Sequence, residues 1–149
     1  MSTDAFAEHT RSEALSIHVL WMTSGLGCDG DTLAMTAATS PSLEDLIGQS
    51  IPGMPAVIIH NPVLAYEVGD EFMQAWYDAE EGRLDPFVLV LEGSVPNELI
   101  NGDGHWSGLG TNPLTGQPIT TNEWLDRLAP KAAAVMASPP APRTAGSRR

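Results

Sequence analysis

Cys28 is the only cysteine among the 149 residues, and it stands in the Gly-rich stretch "TSGLGCDGDTLAM" (23–35), next to Asp29 and close to Asp31. Cys28 and Asp31 are three residues apart, the spacing of a C-x-x-C metal hairpin with a carboxylate in place of the second thiolate. Gly27 and Gly30 would let backbone amides approach a bound cluster and hydrogen-bond its sulfides. The plainer use of the same residues is Cys28 as a small buried apolar side chain and Asp31 as a helix N-cap. Spacing alone favours the plainer use, because one cysteine cannot hold a cluster. Gly25, Gly27 and Gly30 also match G-x-G-x-x-G. A phosphate at the following helix start would meet Asp29 and Asp31, which disfavours nucleotide binding.

Other residues carry weaker signals. Glu92 ends the run "DPFVLVLEG" (85–93), where a carboxylate could relay protons or serve as a structural hydrogen-bond acceptor. His9, His18, His60 and His105 share no metal-ligand spacing, so ordinary core or surface roles are expected for each. Trp21, Trp76, Trp106 and Trp124 read as packing residues. No Ser-His-Asp set and no paired carboxylates stand out, so hydrolytic chemistry is not indicated.

These residues need a scaffold. "SIHVLWM" (16–22) is a β-branched and aromatic run that reads as a buried strand ending at the glycines. "DTLAMTAAT" (31–39) reads as a helix. "SPSLEDLIGQS" (40–50) predicts a short helix with Ser40 as N-cap, Pro41 at the first position and Gly48 as the stop. "PAVIIHN" (55–61) is a second buried strand, "GDEFMQAWYDAEEG" (69–82) an amphipathic helix, and 85–93 the third strand. A long Gly- and Asn-rich connection (101–118) follows. Thr120 and Glu123 form a capping-box pattern that opens "TNEWLDRLA", and "KAAAVMA" (131–137) serves as a fourth strand. Strands alternating with helices imply an α/β fold with a parallel sheet flanked by helices. In such sheets ligands bind beyond the C-terminal ends of the strands, where Cys28 and Glu92 both fall.

Composition narrows the classes. The formal net charge is -12, and all 19 acidic residues lie at or before Asp126. An acidic body repels phosphates, so nucleic-acid binding is excluded. A single cysteine fits a reducing compartment. The N-terminus has no basic segment followed by an apolar run and no twin arginine. No stretch approaches roughly 18 consecutive apolar residues, so no transmembrane helix is expected. The expected location is the cytoplasm, with any membrane association peripheral and indirect. Residues 1–15 read as a flexible N-terminus, 16–137 as one domain, and 138–149 as a basic, disordered tail.

The segments "VLWMTSGLGCDGD", "VLVLEGSVP", "NPLTGQPITTNEWLDRLAPKAAAVMA" and, more loosely, "PAVIIHNPV" resemble the N-terminal, flavodoxin-like domain of NiFe-hydrogenase small subunits. The likeness covers about residues 16 to 137 and implies a flavodoxin-like sheet, incomplete at its C-terminus. In that family the first strand ends in G-x-G-C-x-G-C, whose two cysteines ligate the proximal iron–sulfur cluster. Here the first maps to Cys28 and the second to Asp31. Aspartate at this place is similar to the cytoplasmic, actinobacterial-type branch, in which three Cys and one Asp hold a 4Fe-4S cubane. A carboxylate is a harder ligand than thiolate and alters the cluster potential.

The resemblance implies a role as the electron-transfer subunit of an H2-oxidising (uptake) enzyme. Its partner would be a large subunit carrying the nickel–iron centre, and further clusters would belong to the full-length protein. The remaining proximal ligands of the family lie beyond "AVMA", and this chain lacks them. The chain by itself is therefore expected to be inactive. Two other classes compete. One is the related small quinone-reductase-type subunit of respiratory complex I, which places adjacent cysteines after its first strand. The other is a cofactor-free α/β interaction module.

The tail "SPPAPRTAGSRR" (138–149) carries a further expectation. The family continues roughly as I-x-T-C-A-T-Y-G-G-I-P. Reading codons one base early, the junctions from Pro140 to Arg148 permit Cys-Ala-Thr-Tyr-Gly-Gly-Ile-Pro. The tail thus reads as out-of-frame translation after a one-base deletion near codon 137. The coding DNA tests this: the idea fails if no single-base shift restores that octapeptide.

Overall fold

A computed structural model describes residues 16–25 and 39–138. Four strands form one sheet: β1 (Ser16–Thr23), β2 (Ala56–His60), β3 (Phe87–Glu92) and β6 (Ala134–Ser138), in the order β2-β1-β3-β6. All three pairings are parallel, as the alternation of strands and helices implies. Among the described residues three helices join them: α1 (Leu43–Ile47), α2 (Asp70–Glu80) and α3 (Thr121–Leu128). The predicted helix over 31–39 lies outside the described residues up to position 38, as do residues 1–15 and the tail from Pro139.

Alternation across the pleat gives the sheet two apolar faces. On one face Leu20, Met22, Phe87, Leu89 and Leu91 pack against Met73, Trp76 and Ala79 of α2 and Trp124 and Leu128 of α3. These residues are almost fully removed from water, and at about 25 cal/mol per Å² their burial is the main stabilising term. The other face carries Ile17, Val19, Trp21, Val88 and Val90. With Leu43 and Leu46 of α1 it lines an apolar cavity of about 570 Å³.

Several local expectations change. The short helix is capped by Ser42, not Ser40, and begins at Leu43. Ser42 Oγ accepts the Asp45 N–H at 3.1 Å, and Asp45 Oδ2 accepts the Ser42 N–H at 3.1 Å. That reciprocal box satisfies two orphan donors, more than a cap at Ser40 offers ahead of Pro41. Gly48 is the C-cap as expected. β2 is an edge strand among the described residues, and it is only half-buried, with Ile58 41% exposed. The fourth strand starts at Ala134 because residues 131–133 first turn off α3. Lys131 and Ala132 N–H both donate to Leu128 O, and Ala133 N–H donates to Phe87 O.

The connection over 101–118 is not irregular throughout. It holds a 3₁₀ turn (His105–Ser107) and an antiparallel pair, β4 (Gly108–Thr111) and β5 (Pro118–Thr120). Trp124 Nε1 donates to Leu109 O at 2.6 Å, which anchors this hairpin on α3. The capping box that opens α3 forms as read from the sequence. Thr120 Oγ1 accepts the Glu123 N–H and Glu123 Oε2 accepts the Thr120 N–H.

Candidate functional site at the strand C-termini

β1 and β3 end level with one another, Thr23 opposite Glu92. Their outgoing loops are stitched together immediately afterwards. Ser24 N–H donates to Glu92 O at 2.9 Å, Ser94 N–H to Gly25 O at 2.7 Å, and Ser24 Oγ to Ser94 O at 3.0 Å. Gly93, between these contacts, has φ +95°, a conformation that side chains strongly disfavour. The E-G-S turn is therefore fixed at the point where the Cys28-bearing stretch leaves β1.

Glu92 is 3% exposed. Its Oε2 accepts the indole N–H of Trp21 at 2.9 Å and, less closely, the Thr23 hydroxyl at 3.4 Å. Two donors from the neighbouring strand hold a buried carboxylate in one orientation, which suits either a proton carrier or a fixed acceptor. Gly27, Cys28, Gly30 and Asp31 lie outside the described residues. Among the described residues no group of three or more His, Cys, Asp or Glu side chains could hold a metal ion.

A second polar group, not anticipated from the sequence, anchors the loop that follows β3. Glu98 starts a 3₁₀ turn (Glu98–Ile100) and reaches the N-terminus of α3. Its Oε1 accepts Ser107 Oγ–H at 2.6 Å and Asn122 N–H at 3.0 Å. Asn122 Nδ2 donates to Pro96 O at 3.1 Å. Burial, the largest single influence on Glu98, opposes its ionisation. The Ser107 hydroxyl, the Asn122 N–H and the Thr120 hydroxyl outweigh it together and hold the carboxyl below its ordinary value. Gly104 lies so close that a Cβ there would meet Glu98 Cβ at 2.8 Å. Glu98 thus ties loop 93–107 to α3 while Leu99 (91% exposed) and Ile100 (77% exposed) project outward. The signal in the sequence was a carboxylate ahead of a Ser and an Asn it could bridge. Only the hairpin's geometry brings them together.

The remaining predicted residues divide. Trp21, Trp76 and Trp124 are core residues, as read from the sequence, but Trp106 is 53% exposed in its 3₁₀ turn and does not pack. His105 lies in the same turn, its Nδ1 3.0 Å from Asp103 Oδ2. His18 and His60 are not independent. Adjacent strands bring His18 Nδ1 within 2.9 Å of His60 Nε2.

A four-stranded parallel sheet with helices against it, and polar loops gathered at the C-terminal ends of its central strands, defines a flavodoxin-like α/β chain. Comparison with solved structures is specific. An actinobacterial-type NiFe-hydrogenase from Ralstonia eutropha H16 is 56% identical, with a TM-score of 0.76, over 92% of this chain and 39% of that one. The chain belongs to the NiFe-hydrogenase family. A Ni-Fe-Se hydrogenase from Desulfomicrobium baculatum shares the fold at 22% identity and a TM-score of 0.63, over 80% of this chain and 40% of that one. A NiFeSe-hydrogenase structure from Dm. baculatum does so at 24% identity and a TM-score of 0.59, over 83% and 42%. The chain therefore spans about two fifths of the hydrogenase chains it matches. No family model matches it, and no curated protein does. No helix among the described residues is long and apolar enough to cross a membrane.

Proposed function

We propose that the chain is the flavodoxin-like part of the small, electron-transferring subunit of a cytoplasmic NiFe hydrogenase. Its partner would be a large subunit that carries the nickel–iron centre and oxidises H2. The observation that carries this reading is the 56% identity to an actinobacterial-type NiFe-hydrogenase over 92% of the chain. The order of residues supports it too, since the only thiol follows the central strand β1 at the ligand-binding end of the sheet.

The donor set bears on the cofactor. Cys28 and Asp31 would hold one edge of a proximal 4Fe-4S cluster, with Gly27 and Gly30 shaping the loop around it. Such a cluster supplies one-electron chemistry when bound. Two donors are half of what a cubane takes, so these 149 residues do not by themselves complete the site. Glu92, closing β3 beside the loop that leaves β1, is then a proton relay or a structural acceptor. The chain alone is inactive toward H2 on this reading.

Iron and acid-labile sulfide analysis tests the assignment, with the in-frame protein purified anaerobically together with its large subunit. Acid-labile sulfide should accompany the complex, and the share that belongs to one cluster should be lost, with its iron, in Cys28→Ala. A stable complex free of acid-labile sulfide sinks the cluster assignment. Failure of any large subunit to co-purify counts against the partner.

A further inference from the structure

His18 on β1 and His60 on β2 make none of the loop contacts above and have no part in the function proposed. In the parallel register His18 is opposite Ile58 and His60 is opposite Leu20, so the imidazoles are diagonal neighbours on the α2-facing side of the sheet. Their rings are 10° from parallel, with centroids 5.2 Å apart and Nδ1 of His18 2.9 Å from Nε2 of His60. Two ring nitrogens at that distance share one hydrogen. One imidazole donates and the other accepts, whichever tautomer each holds.

Proton number decides whether the contact can exist. A neutral pair has one N–H between the rings, and so does a pair with one added proton. With two added protons both nitrogens carry hydrogen, and two like charges meet at hydrogen-bond distance. The surroundings offer limited relief. Glu67, in the loop after β2, and Glu71, on α2, line a cavity of about 240 Å³ beside His60. The neighbours on the same face of β1, β2 and β3 are Ser16, Leu20, Ala56, Ile58, Phe87 and Leu89, none of them charged. α1 lies against the opposite face.

We propose that the His18–His60 pair is a proton-counting latch, which holds edge strand β2 against β1 while it carries at most one extra proton and releases it at two. Burial pushes both imidazoles below their ordinary value of 6.5. His18 adds to that effect on His60, and Glu67 opposes it. Depressed values mean that the folded state binds fewer protons than the unfolded chain. The stability linked to the pair is therefore complete above 6.5 and is lost as pH falls through the folded-state values. β2 responds before β3 because β2 has one strand neighbour among the described residues, while β3 lies between β1 and β6.

Amide hydrogen exchange on the full chain tests the latch. Protection factors for Val57–His60 should fall at least tenfold relative to Val88–Leu91 as pH falls from 7 through the folded-state values of the pair, located by a nitrogen-15 titration of the two imidazoles. His60→Gln keeps one hydrogen bond to His18 but cannot take up a second charge, so it should remove that selective fall. His18→Asn, which places an amide where Nδ1 stood, serves the same purpose should His60→Gln not fold. An equal fall in β2 and β3, or a selective β2 fall that persists in either folded variant, overturns the proposal. So does a nitrogen-15 titration in which both imidazoles protonate independently at the ordinary value.

Discussion

Replacing Glu98 by Gln isolates the charge that holds the loop after β3. The amide oxygen of Gln can accept both the Ser107 hydroxyl and the Asn122 N–H that Glu98 Oε1 accepts at 2.6 and 3.0 Å. Shape and these two bonds are kept, while ionisation and the second carboxylate oxygen, with its capacity to accept the Thr120 hydroxyl, are lost. Charge-assisted hydrogen bonds are about twice as strong as neutral ones, so each bond weakens by roughly 0.5–1 kcal/mol. The carboxylate also faces the first turn of α3, an interaction worth about 0.3–1 kcal/mol. Glu98 is partly exposed, so solvent screening brings the total to about 1 kcal/mol. Glu98→Ala should cost more, about 2 kcal/mol, because Asn122 N–H is left without an acceptor while Ser107 can turn to Gly104 O. Urea unfolding reads both as shifts in midpoint at constant slope. The sign of the pH dependence follows from a carboxyl held below its ordinary value of 4.5. The Glu98-to-Gln difference should be complete above pH 4.5 and shrink as pH falls through the folded-state value. Equal midpoints for wild type and Glu98→Gln at pH 7 refute the reasoning, and so does a difference that persists once Glu98 is protonated.

Three further outcomes follow from the same geometry. Trp76 Nε1 is buried with no acceptor among the described residues, whereas Trp124 Nε1 donates to Leu109 O. Trp124→Phe should therefore cost about 1–2 kcal/mol more than Trp76→Phe in denaturant unfolding, and equal costs count against the Leu109 anchor. Glu92→Ala leaves the Trp21 indole N–H without its 2.9 Å acceptor and should cost about 2–3 kcal/mol, against under about 1 kcal/mol for Glu92→Gln. Calorimetry checks that ordering. Gly93→Ala puts a side chain at φ +95° and should destabilise by at least about 1 kcal/mol, with hydrogen exchange rising first at Ser94.

The sheet was legible because its strands are strong local signals. "SIHVLWM" and "PFVLVLE" are apolar on both faces, the mark of strands covered on two sides, and each forms within two residues of where it is read. Capping at Thr120 was legible for the same reason, since the box closes within four residues. The cap at Ser42 is masked in the sequence by Pro41, which suits the first helical position and so favours Ser40. The long connection concealed β4 and β5 because "GLGT" and "PIT" are too short and too Gly- and Pro-rich to show a period. Non-local pairs were invisible in principle. His18 and His60 are 42 residues apart, and Glu98 and Asn122 are 24 apart, so only the sheet order and the hairpin make them neighbours.

The same distinction locates the rigid and yielding parts of the candidate site. β1 and β3 are each paired on both sides, and their outgoing loops exchange hydrogen bonds at Ser24, Gly25 and Ser94. Glu92 is held from β1 by Trp21, and the loop after it is held from α3 through Glu98. On the reading proposed, a redox centre anchored at Cys28 would follow one of the two central strands of the sheet. Such a centre gains from fixed neighbours, because its potential depends on hydrogen bonds and charges whose positions must not wander. The edge strand β2, by contrast, pairs with β1 alone among the described residues and shares with it an imidazole pair that, on the proposal above, tolerates one extra proton but not two. Acid should therefore loosen β2 first and leave the β1–β3 platform intact. Hydrogen exchange separates these two parts of one sheet within a single experiment.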